Sequence, residues 1–80
     1  MERNEIILQL KSILVVILKH EKFEMKDELS ASEVDGWDSL THMIIITEIE
    51  KSFQISFKLK ELNKLNNLGS LINLIQLKTS

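Results

Sequence analysis

Apolar residues recur every three or four positions along most of this chain, and no proline interrupts them. That spacing is the period of a helix face, whereas a half-buried strand alternates at every second residue. The pattern calls for several helices packed through their apolar stripes, which is an all-α bundle. With 80 residues, a single domain over 1–80 is expected. A domain of this size has a modest core.

The first helix is expected from about Asn4 to His20, capped by Asn4. Ile6, Leu10, Ile13, Leu14 and Ile17 form its buried stripe, and Lys19 and His20 suit the negative end of its dipole. Val15, Val16 and Leu18 make it apolar on more than one side. Residues 21–38 read as a long polar connection, anchored by Phe23, Met25, Leu29, Val34 and Trp37 and turned near its end by Gly36. A second helix follows over Ser39–Phe53. Steps of about 100° put Ile45, Ile46, Ile49 and Phe53 on its core side. Leu40, Met43, Ile44, Thr47 and Lys51 fall on the other side. That outer set is unusually apolar for a solvated face and reads as a binding surface. Gln54–Phe57 is an extended link. A short helix around Lys58–Leu65 comes next, with Leu62 and Leu65 inward. Asn67 then caps a last helix from Leu68 to about Leu77, whose apolar face is Leu68, Leu71, Ile72 and Ile75.

Composition removes several chemistries. There is no cysteine, so disulfides, Cys-based zinc sites and thiol nucleophiles are excluded. Two histidines, His20 and His42, are too few for most metal or catalytic clusters. Covalent chemistry must sit on Ser, Thr, Lys or a carboxylate, or arrive on a cofactor. The apolar run Ile13–Leu18 is too short for a membrane span or a secretory signal, so a soluble cytoplasmic protein is expected. Met1 opens the chain with no tag-like tract, which reads as a complete free-standing protein.

Net charge is -2, unevenly placed. Residues 1–38 hold nine acids against five bases, and residues 39–80 hold three acids against five bases. No basic stripe with interleaved aromatics occurs, so nucleic acid is not an expected partner. The acids crowd the segment before Ser39, which points to a basic partner at that place.

The informative segment is Asp35-Gly36-Trp37-Asp38-Ser39-Leu40. Taken alone, Asp-Ser ahead of an apolar helical run is an ordinary capping signal. Its context adds to this. The segment lies mid-chain, after a helix and a long loop, and opens an Ile-rich helix that ends in Glu50-Lys51-Ser52-Phe53. Gly36-Trp37-Asp38-Ser39-Leu40-Thr41-His42-Met43, Ile49-Glu50-Lys51-Ser52-Phe53-Gln54-Ile55, then Leu62, Leu65 and Leu68-Gly69-Ser70-Leu71-Ile72 follow one another at a spacing that resembles the acyl carrier protein family.

The resemblance covers nearly the whole chain. It implies a four-helix bundle of three main helices and a short one. It also implies that Ser39 receives a 4'-phosphopantetheine arm from coenzyme A through a phosphopantetheinyl transferase. The arm's terminal thiol would carry an acyl group as a thioester, which gives a cysteine-free protein its thiol chemistry. The protein itself would catalyse nothing. Asp38 and Leu40 flank the site, Asp38 as a contact to a basic residue or metal of the transferase or as a second capping carboxylate, Leu40 as a partner contact. Trp37 reads as a loop anchor and His42 as a half-buried, hydrogen-bonded ring. Further implied partners are an acyl- or aminoacyl-loading ligase or transferase and downstream pathway enzymes, met by a monomer. Fatty-acid carriers usually show several acids along the second helix. Here Ile44 stands where an acid is common, Lys51 follows Glu50, and Glu48 and Glu50 are the helix's only acids. A carrier for a dedicated fatty-acid-like, polyketide or other specialised pathway fits better. Three other readings stay open: an aminoacyl or peptidyl carrier, a helical interaction module without cofactor, and a Ser-based hydrolase of the Asp-Ser-Leu type, for which His42 is the only downstream histidine.

Overall fold

A computed structural model describes all 80 residues. Four α-helices appear in the expected order: α1 over Arg3–Leu18, α2 over Ser39–Phe53, α3 over Leu59–Leu62 and α4 over Leu68–Thr79. There is no strand. The α1 helix lies against both α2 and α4. Their facing stripes make one core from Ile6, Leu10 and Leu14 of α1, Ile45, Ile46, Ile49 and Phe53 of α2, and Leu68, Leu71, Ile72 and Ile75 of α4. Ile13 and Ile17 of the expected α1 stripe are only partly buried, at the edge of this core.

The ends of α1 differ from expectation. The helix starts at Arg3 rather than Asn4, because Glu2 takes the extended cap conformation and its N–H donates to the Glu5 carboxylate at 3.1 Å. It stops at Leu18 rather than His20. Lys19 turns left-handed at φ 65° and bonds back to Val15 O. His20 does not serve the dipole; its Nε2 bonds Asp35 O at 2.7 Å, and its Nδ1 accepts from Lys22 N at 2.9 Å. A contact between residues fifteen apart thus takes the place of the last two expected helical residues.

The connection from Lys19 to Asp38 is pinned as its anchors suggested. Leu29 and Val34 enter the core, and Phe23, Met25 and Trp37 pack on its edge. A 3₁₀ turn over Ala31–Glu33 interrupts it. Its middle is bonded to the start of α4: Leu68 N donates to Leu29 O at 2.7 Å, and Gly69 N to Asp27 O at 3.0 Å. A Cβ on Gly69 would stand 2.8 Å from Asp27 Cβ and 3.1 Å from its Cα, so only glycine admits this approach. Arg3 adds a third tie, to Asp27 at 2.8 Å and to Asn73 Oδ1 at 2.6 Å.

The short helix α3 is tighter than its expected range. Lys64 and Leu65 close on Glu61 O and Leu62 O through three-residue turns instead of helical bonds. The last helix runs two residues past Leu77, held by Lys78 on the Glu61 carboxylate at 3.0 Å and by the Thr79 hydroxyl on Ile75 O. No helix is long and apolar enough to cross a membrane.

Candidate functional site at the start of α2

The start of α2 is built by Asp38. Its backbone is extended, and its carboxylate accepts the Thr41 N–H at 2.8 Å. That bond is the main reason its carboxyl is held below the usual aspartate value. The first intrahelical bond runs from His42 N to Asp38 O at 2.8 Å. With Asp38 as the cap, Ser39 becomes the first helical residue, exposed and with its hydroxyl free of capping duty. The N–H groups of Ser39 and Leu40 precede the first helical bond, on the positive end of the dipole.

The chain reaches this point through Gly36, whose φ of +85° makes the turn. Trp37 folds under that turn and donates its indole N–H to His42 Nδ1 at 3.1 Å. The ring centroids lie 6.2 Å apart with 27° between planes, which fits an edge-to-edge approach along the N–H···N bond. Nδ1 is therefore an acceptor, and a neutral His42 carries its proton on Nε2. Both rings are half-buried. No motif links Trp37 and His42 in the sequence. Their pairing across the helix start is signalled only by two partly apolar rings flanking one cap.

Beyond the cap, the outer face of α2 is exposed as its periodicity indicates. Leu40, Met43 and Ile44 are 74%, 52% and 48% exposed, and Thr47 and Lys51 lie exposed among them. The two acids of α2 have different fates. Glu50 turns inward along the helix end and accepts the Phe57 N–H at 2.8 Å, so it holds the link to α3. Glu48 stays beside the strip, 3.9 Å from Lys51. Glu50 is thus directed toward the link to α3, and Glu48 is the acid that stands beside the outer strip. Ile44 and Glu48 also border a groove shared with Ile13, Val16 and Ile17 of α1.

No family model and no curated protein sequence matched this chain. A solved structure did: the solution structure of a holo acyl carrier protein from Geobacter metallireducens, 36% identical over 90% of this chain and 83% of that one, with a TM-score of 0.83. The chain belongs to the acyl carrier protein family. The Geobacter protein is in its holo form, and the likeness supports a carrier role for this chain too. The four-helix carrier fold places Asp38, Ser39 and Leu40 together at one helix start and the apolar strip immediately beside it.

Proposed function

We propose that this chain carries acyl groups as thioesters on a 4'-phosphopantetheine arm joined to the Ser39 hydroxyl. The observation that supports this best is the division of labour at the helix start. Asp38 takes the cap, so the Ser39 hydroxyl is exposed and uncommitted. The residues fit the group. A phosphodiester on Ser39 Oγ would sit at the amino end of a fifteen-residue helix, where free N–H groups and the dipole favour an anion. When bound, the arm supplies the thiol that the protein lacks.

Attachment would form a Ser39 Oγ–P bond while the pyrophosphate P–O bond of coenzyme A breaks and adenosine 3',5'-bisphosphate leaves. The hydroxyl proton goes to a base of the transferase, since the His42 Nδ1 lone pair is engaged by Trp37. Leu40, Met43, Ile44, Thr47 and Lys51 form the surface that meets the transferase, the loading ligase or acyltransferase and later pathway enzymes. With Glu50 engaged in the link, apolar contact contributes more to that meeting and charge steering less. This supports a dedicated pathway rather than the general fatty-acid one.

The experiment is intact mass after incubation with coenzyme A and a broad-specificity transferase. One phosphopantetheine should be added to the wild type and none to Ser39→Ala. An unmodified wild-type mass overturns the reading.

A further inference from the structure

We propose that the partner surface of α2 extends onto α1, and that the enzyme charging the arm lays an amphipathic helix in the groove between them. An apolar side chain of that helix meets Val16 and Ile44, and a basic one meets Glu48. The proposal rests on the reading of Ser39 as the site of the arm.

The groove is lined by Ser12, Ile13, Val16 and Ile17 of α1 and by Ile44 and Glu48 of α2. Val16 and Leu40 are equally exposed, at 74%. One exposed valine by itself would mean nothing. Val16 is not by itself, since Ile13 and Ile17 flank it and Ile44 lies across the groove. Ile44 and Glu48 also belong to the outer strip, beside Leu40, Met43 and Lys51. The strip and the groove are therefore one continuous surface, which crosses the seam of two helices.

The groove has a direction. At one end Gln9 of α1 crosses to α2 and donates to Ser52 Oγ at 2.6 Å. At the other end the His20–Asp35 bond holds the chain after α1 beside the segment that leads into Ser39. Between these ends, Val16, Ile17 and Ile44 form an apolar half nearer Ser39. Ser12 and Glu48 form a polar half further away. Ile44 and Glu48 stand one turn apart, so an occupant with an apolar and a basic side chain one turn apart matches both. That is the pattern of an amphipathic helix lying in a groove. Glu48 is available for it. Its neighbour Lys51 is 3.9 Å away, with the two side chains 46% and 72% exposed, and such a pair contributes little in water. A basic partner also suits the loop before Ser39, where residues 21–38 hold seven acids and two bases.

Position along α2 selects the charging enzyme over the transferase. Ile44 and Glu48 lie about 8 and 14 Å beyond Ser39, at about 1.5 Å per residue. The transferase must close on the Ser39 hydroxyl. The charging enzyme works at the thiol on the far end of the arm and can rest further down the helix.

The test titrates isotope-labelled holo-protein with the enzyme that charges it. Amide signals of residues 12–17 should move together with those of residues 40–48. Val16→Lys should raise the dissociation constant roughly tenfold, through lost apolar contact and a cation set against the partner's own. Leu77→Lys adds the same charge at a similarly exposed site on α4 and should leave it unchanged. Glu48→Gln should weaken binding about threefold and lessen its dependence on salt. Still α1 signals beside moving α2 signals overturn the proposal. So do equal dissociation constants for the wild type and Val16→Lys, equal losses in Val16→Lys and Leu77→Lys, or unchanged binding in Glu48→Gln. Groove signals that move on acylation of the arm alone, or with protein concentration alone, also overturn it, because the cargo or a second copy then fills the groove. Intact mass keeps the two readings apart. A chain that takes no arm overturns both, whereas a charged arm with a silent groove overturns this one only.

Discussion

Asp38 and Ser39 are chain neighbours with separate tasks, and the substitution that separates them is Asp38→Asn. Asparagine caps a helix about as well as aspartate, because its side-chain oxygen can still accept the Thr41 N–H. Thermal unfolding of Asp38→Asn should therefore match the wild type near neutral pH. If the carboxylate also meets a cation of the transferase, as its exposure beside Ser39 suggests, arm attachment should slow by roughly tenfold, the usual effect of losing one charge-assisted contact. The progress of attachment, followed by mass, checks this. An unchanged rate would leave Asp38 as a cap only. In the sequence, the Asp-Ser pair showed that a cap was present but not which residue provided it. The structure gives that role to the residue whose backbone stays extended.

Among the elements, α2 was the most legible, and Ser39–Phe53 is both its expected and its observed range. Its signals are local: an Asp-Ser capping pair at one end, a break in periodicity at Gln54 at the other. The ends of α1 and α3 were less legible, because the contacts that end them come from elsewhere in the chain or from a change in turn type. Asp35 O draws His20 off α1, and nothing within the helix announces that contact. Gly69 is a similar case. A glycine in the first turn of α4 reads as a mild defect, and Gly69→Ala in an isolated helix would gain about 1 kcal/mol. Here the added methyl meets Asp27 at 2.8 Å, with the Asp27 backbone close behind. Gly69→Ala should therefore destabilise the protein by about 1–3 kcal/mol, lowering its melting temperature by several degrees. A melting temperature at or above the wild type would refute the close approach. The outer face of α2 makes the opposite prediction. Ile44 is half-exposed, so Ile44→Glu should change stability by no more than about 0.5 kcal/mol. Its loading by the cognate partner enzyme should nevertheless fall roughly tenfold, the effect of losing a buried interface contact. A large fall in melting temperature would place Ile44 in the core instead.

Across the whole molecule, the bundle and its core stripes were legible because periodicity carries them. The tertiary ties that hold the long loop were not, since Leu29 O, Asp27 O and Asp35 O are backbone groups that no side-chain pattern reveals. Response to acid rests on a different set of bonds, the local caps at the starts of turns. Three carboxyls are held below their usual values, each chiefly by a backbone N–H at the start of a helical turn. Ser30 supplies it to Glu33, Thr41 to Asp38 and Lys58 to Glu61, with Lys78 adding to the last. The sign follows from linkage. A carboxyl whose value is lower in the folded than in the unfolded chain contributes its full stabilisation above the ordinary carboxylate range. That contribution fades as pH falls through the folded value. The melting temperature should therefore hold through neutral pH and drop below about pH 4.5. Two of the three carboxyls, Glu33 and Asp38, flank the segment leading into Ser39, so that segment should loosen first. The combined variant Glu33→Gln, Asp38→Asn, Glu61→Gln retains an acceptor at each position and nothing there to protonate. Its melting temperature should fall less steeply between about pH 4.5 and pH 3 than that of the wild type. Identical acid limbs in the two proteins would mean that these three first-turn bonds contribute nothing to the loss of stability in acid.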